Sequence, residues 1–173
     1  IALKTGKPYV SEPIISKVTK IANIFFAAPI KDSVTGKTIA VIRTRMPVKD
    51  LEKVIANYGD LKNQTNYHFF DNSGKIFMAT EKEQVGHDAN KDFPDGLAEK
   101  RASGKPGTWI GHDLNQKTVG TLNAFVPTQA FQGMPDLKWG IAYTIETKTA
   151  FKSVNELLLS ITLGTAVAAA LVG

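Results

Sequence analysis

Arg43 and Arg45 stand two residues apart in the otherwise apolar segment 39–46, IAVIRTRM. In an extended strand alternate side chains share a face, so both guanidinium groups point the same way. Two like charges so placed repel, and they call for an acidic partner or an anionic ligand. Arginine's planar fork of donors suits a carboxylate or phosphate held at two points. Asp50, Glu52 or an upstream acid offers the other way to balance the pair, on a surface-facing strand. Tyr9, Phe25 and Phe26 can form an apolar wall beside the arginines, or serve simply as core. A second group, Asp88, Asn90, Asp92 and Glu99, has the one, three, five, twelve spacing of a calcium loop. Phe93 occupies the sixth position, where the turn calls for glycine, and Pro94 follows it. A solvated loop with a helix cap is the alternative there, and no metal is assigned. His68, His87 and His112 share no helical turn, so they are expected at surface or turn positions rather than around a metal. The chain has no G-x-S-x-G, H-E-x-x-H or P-loop motif, and neither catalytic residues nor a cofactor are expected.

Composition narrows the function classes. The net charge of +5 comes from lysines scattered along the chain, whereas a nucleic-acid binder concentrates them on one face. With no cysteine, the chain has no disulfide framework, thiolate metal site or cysteine nucleophile. Residues 157–173 carry no charge, and their only hydroxyl groups are those of Ser160, Thr162 and Thr165. Such a run is at the lower edge of the roughly 17–25 residues that span a bilayer, and reads as the start of a transmembrane helix. A buried core helix is the alternative. The sequence starts without methionine in a segment that reads as folded, so it reads as an internal piece of a longer protein.

The elements that must position these residues follow from periodicity. Residues 24–28 and 38–46 are apolar strands joined through the polar turn 31–36, a hairpin. After Pro47, Leu51, Val54, Ile55 and Tyr58 have helical spacing, and Gly59 supplies the stop. Residues 67–70 and 75–79 form a second hairpin around the turn 71–74 (DNSG). A short helix over 97–102, opened by Pro94 and Asp95 and ended by Gly104, precedes strands at 107–110, 118–127 and 138–145. A helix without proline runs on from about Thr147 into the apolar run, predicting one continuous rod. Two strands, a helical connection and three strands describe a PAS-like α+β domain, with antiparallel sheets and flanking helices.

With that order, residues 6–13 (GKPYVSEP), 25–32 (FFAAPIKD), 36–41 (GKTIAV), 69–76 (FFDNSGKI) and 139–142 (WGIA) make the chain resemble a double Cache domain. This is the extracellular sensor module of bacterial chemoreceptors and sensor kinases. The resemblance implies that residues 1–59 are the C-terminal part of a membrane-distal lobe, 60–146 a membrane-proximal lobe, and 147–173 a connecting helix and the start of a transmembrane helix. It implies a small-molecule ligand, a homodimer, a place in the inner membrane with the sensor in the periplasm or outside the cell, and chemotaxis signalling. A histidine kinase or a cyclic-dinucleotide enzyme carries the same exterior, and an anchored extracellular enzyme or a structural subunit are further alternatives. Amino-acid-binding members place two aspartates and a tyrosine where this chain has Arg45, Ile14 and Ser16. The resemblance therefore implies a ligand site at Arg43, Arg45, Tyr9, Phe25 and Ser16, with charge reversed toward an anion.

Overall fold

The computed structural model describes residues 1–16, 21–56, 66–112, 119–130 and 133–172. Its strands form two antiparallel sheets. In the first, β3 (Ala22–Lys31) lies centrally, paired along its length with β4 (Thr38–Pro47) and on its other edge with the two-residue strands β1 (Tyr9–Val10) and β2 (Ile14–Ile15). The β3–β4 turn is closed by Asp32, whose Oδ1 accepts from the backbone N–H of Thr35 at 2.6 Å and of Val34 at 3.1 Å. These backbone donors, and the Thr35 hydroxyl, hold the Asp32 carboxyl below its usual range. α1 (Ala2–Thr5) covers one end of this sheet. α2 (Val48–Ala56) follows β4 directly and presents Leu51 and Ile55 to the core as the spacing predicts, together with Val48, whereas Val54 of the same spacing is exposed and Tyr58 lies outside the described residues.

The second sheet has the strand order β6-β5-β9-β8-β7, built from β5 (Asn66–Phe70), β6 (Ile76–Ala79), β7 (Gly107–His112), β8 (Gly120–Pro127) and β9 (Gly140–Glu146). Counted within the unit this is 2-1-5-4-3, so the last strand closes back beside the first. α3 (Ala89–Asp92) and α4 (Leu97–Ser103) lie in the connection between β6 and β7, and pack Ala89, Phe93 and Leu97 against Phe70, Ile76, Phe125 and Ala142. The Asp71-Asn-Ser-Gly74 turn forms where the sequence places it. Asp71 Oδ1 accepts from the N–H groups of Ser73 and Lys75 at 2.9 and 3.0 Å and from the Ser73 hydroxyl at 2.6 Å.

A second core joins the two sheets. Ile24 of β3 and Val48 of α2 pack with Phe77 and Met78 of β6 and with Trp139, which precedes β9, with Tyr67 and Phe69 against them. Trp139 stacks edge-on to Phe77, with centroids 5.1 Å apart, and its indole N–H donates to Glu12 Oε2 at 2.7 Å. Partial burial is the main reason the Glu12 carboxyl is pushed above its usual range; the Trp139 hydrogen bond opposes that shift, and nearby Asp71 adds to it.

Several expectations need correction. His68 is buried, at 3% exposure, rather than at a surface or turn. It stacks edge-on to Phe93 and bonds Gln84, and burial pushes its imidazole below the ordinary range. Asp95 does not open α4, whose N-cap is Gly96; its carboxylate instead accepts the His112 backbone N–H at 3.0 Å. The continuous C-terminal rod is divided into α5 (Thr147–Ala150) and α6 (Lys152–Val172), because Phe151, at φ −103° and ψ 13°, leaves helical geometry. Among the described residues no helix is long and apolar enough to cross a membrane. The helix stop at Gly59, the start of the 118–127 strand and the boundary drawn at 59/60 lie outside the described residues.

Candidate functional site

The face of the first sheet that carries the arginines is set by strand register. Arg43 pairs with Ala27, Arg45 with Phe25, and Tyr9 with Ala27 across β1 and β3. Directly paired residues project to the same side, so Tyr9, Phe25, Ala27, Arg43 and Arg45 share one face. The edge segment leading from β1 is pinned by Ser11. Its N–H donates to the Phe25 carbonyl at 2.9 Å, and its hydroxyl accepts the Phe25 N–H at 3.0 Å.

This face and α1 enclose an open cavity of about 530 Å³, lined by Arg43, Tyr9, Phe25, Ser11, Ile14 and Ile39 among others. Arg43 lies over the Phe25 ring, its guanidinium carbon 4.3 Å from the centroid. That contact orients the group at a modest gain, about 0.5–1 kcal/mol for a partly exposed pair. Among the described residues no carboxylate pairs with Arg43 or Arg45. Asp50, one of the acids that could have balanced them, instead meets Lys53 at 2.7 Å. No acidic side chain is among the described lining residues. The arrangement can hold an anionic group in two-point contact with Arg43 while an apolar body lies on Phe25, Ile14 and Ile39.

Of the residues expected here, Arg43, Tyr9 and Phe25 come together at the cavity. Arg45 is exposed on the same face one pair further along β4, and Ser16 follows β2; neither lines the cavity. Phe26 projects to the other face, beside Val10 and toward the core shared by the sheets. Sequence reasoning passed over Ser11 and Ala27, and a cross-strand register could have found both. The calcium-spaced residues do not converge. Asp88 caps α3 by accepting the Asn90 N–H at 3.0 Å, Asn90 Oδ1 accepts from Arg101 at 2.9 Å, and Asp92 meets His87 Nδ1 at 3.2 Å. The loop-and-cap alternative describes this segment.

Comparison with known protein families finds no match, nor does comparison with curated proteins. Solved structures do match. The periplasmic sensory domain of a Campylobacter jejuni chemoreceptor superposes with a TM-score of 0.66 at 16% identity, over 87% of this chain and 55% of that one. The chain has the fold of chemoreceptor sensor domains. The ligand-binding domain of the Pseudomonas aeruginosa amino acid chemoreceptor PctB, in complex with L-Gln, matches at 0.60 and 19% identity over 92% of this chain and 62% of that one. An extracellular domain described as that of a histidine kinase matches at 0.58 and 16%, over 85% and 53%. The chain thus spans little more than half the length of these domains.

Proposed function

We propose that this chain is part of an extracytoplasmic sensor domain of a transmembrane chemoreceptor, binding a small organic carboxylate at the cavity over β3 and β4. The observation that carries the reading is Arg43, set on the Phe25 ring at the wall of a 530 Å³ cavity with no acid among its described lining residues. The two-sheet fold shared with chemoreceptor sensor domains supports it. An α-ammonium group would find no counter-charge among the described lining residues, which favours carboxylates without one over amino acids. Arg45, on the same face, adds positive potential at the rim and draws anions in. Residues 1–59 act as part of the ligand-binding lobe and 60–146 as the lobe that passes its state onward. The protein binds its ligand without transforming it.

In this reading the C-terminal helix is the start of a membrane segment. Leu157, Leu158, Leu159, Ile161 and Leu163 are each more than half exposed. At 100° per residue these positions surround α6, whereas a helix docked on protein shows one apolar stripe. Its uncharged part, residues 157–172, measures about 24 Å against a hydrocarbon core of about 30 Å, the length of the start of a span rather than of a whole one. The protein then sits in the inner membrane with its sheets outside, working as a homodimer through this helix. Motion of β9 reaches the membrane through the turn at Phe151 rather than along one rigid rod.

Thermal unfolding against a panel of carboxylates and amino acids tests the site. A ligand at about 100 times its Kd stabilises by about 2.7 kcal/mol, or roughly 5–10 °C for a chain of this size. Arg43→Ala should abolish that rise while the unliganded domain stays folded. An unchanged ligand response in this variant sinks the assignment, and amino acids outperforming simple carboxylates would overturn the ligand class.

A further inference from the structure

The five-stranded sheet carries a cavity of its own, about 580 Å³ in volume, between the C-terminal end of α4 and the adjoining ends of β8 and β9. We propose that it is a second binding site, for a small monocarboxylate with a branched or aromatic body, whose carboxylate is held by Arg101 and Lys138. This goes beyond the site over β3 and β4, with which it shares no residue.

Arg101 is already fixed in place. One terminal nitrogen donates to Asn90 Oδ1 at 2.9 Å, the other to the Asn72 carbonyl at 3.0 Å, and the guanidinium carbon lies 5.3 Å from the Phe70 centroid. Both hydrogen-bond acceptors are neutral, so the charge is oriented without being cancelled. Five N–H donors minus these two leaves three, and a preorganised fork spends little further entropy in gripping a carboxylate. Lys138 stands at another wall in left-handed backbone geometry, φ 52°, a conformation that is uncommon for any residue but glycine. Asp136 Oδ1 accepts the Lys138 N–H at 3.1 Å across that turn. Among the described residues neither cation has an ion pair. Asp136 is the one acid among the described lining residues, against the two cations.

The remaining chemistry selects against a bare inorganic anion. Ala102, Pro106 and Pro127 give the cavity accessible apolar walls, above the buried stack of Phe70 and Phe125, whose centroids are 6.1 Å apart. Those walls offer an apolar body a surface to lie on, and the volume lies within the 300–1,000 Å³ of small-molecule sites. An occupant would also be felt elsewhere. Trp139, against which it rests, reaches across the junction to Glu12 between β1 and β2.

The test is two-dimensional NMR of the ¹⁵N-labelled chain titrated with isovalerate and with benzoate. The expected result is saturable shifts of the Trp139 indole N–H and of the Arg101, Phe125 and Lys138 amides. They should persist in Arg43→Ala, which separates this site from the one over β3 and β4. Isovaleramide, lacking the charge, should bind at least about tenfold more weakly, as should isovalerate to Arg101→Gln. Because Arg101 also braces α3 and the 71–74 turn, Lys138→Gln serves as a second variant on an exposed side chain, with weakened binding expected there too. No saturation by either acid up to about 10 mM, shifts confined to the Arg43 face, or equal binding of the amide would each overturn the proposal.

Discussion

Gly140 opens β9 in the space between two buried phenyl rings, and alanine there should disturb the packing of the second sheet. A Cβ built at this position would fall 2.6 Å from Phe125 Cε2 and also press on Phe70 Cε2 and Cζ. Ordinary carbon contacts need about 3.5–4.0 Å, so roughly 1 Å must be found. The rings cannot simply turn aside. Phe70 and Phe125 are 0% and 3% exposed and are stacked on each other, so strands β5 and β8 on either side of β9 must move. Overpacking of this kind costs about 1–3 kcal/mol, offset by about 0.5–1 kcal/mol from the stiffer unfolded chain. At the middle of those ranges the net loss is about 1.3 kcal/mol, or a melting midpoint lower by roughly 3–5 °C in a chain of this size. Circular dichroism melts and urea titrations of Gly140→Ala measure it directly. Combining the change with Phe125→Leu should relieve part of the clash, so the double variant should lose less than the sum of the single losses. A Gly140→Ala midpoint within about 1 °C of the parent, or simple additivity in the pair, would refute the wedge argument.

Three further outcomes follow from particular groups. Removing the acceptor of the 71–74 turn in Asp71→Ala strands three donors and should cost about 2–3 kcal/mol; a urea midpoint equal to the parent's would count against it. Burial holds the folded-state pKa of His68 below its unfolded value, so its contribution is present at neutral pH and is lost as pH falls through the ordinary imidazole range. His68→Gln should therefore flatten stability between about pH 7 and pH 5, and an unchanged slope would exclude this origin. Glu12 has a raised pKa, so its contribution is full in acid and is lost as pH rises through the folded value. Glu12→Gln keeps an acceptor for Trp139 but cannot ionise, so it should gain on the parent at neutral pH and match it near pH 4, as denaturant titrations at both pH values would reveal.

What the sequence determined by itself was local. The β3–β4 hairpin, the amphipathic α2, the Asp71-to-Gly74 turn and α4 each depend on residues within a few positions of one another. Hydrophobic period and turn chemistry act over that range. The shared face of Arg43 and Arg45 was legible for the same reason, since strand alternation needs no partner. Tertiary structure alone decided which of the two arginines meets a cavity, because that depends on where β1 and α1 fall against β3 and β4. The two-residue strands β1 and β2 carry too short a pattern to be read, and they exist only through pairing with β3. His68 looked like a surface residue until α3 placed Phe93 over it. The Glu12–Trp139 bond joins positions 127 residues apart, and Gly140 becomes indispensable only once Phe70 and Phe125 close around it. Such contacts arise from chain reversals over long separations, and no local period records them.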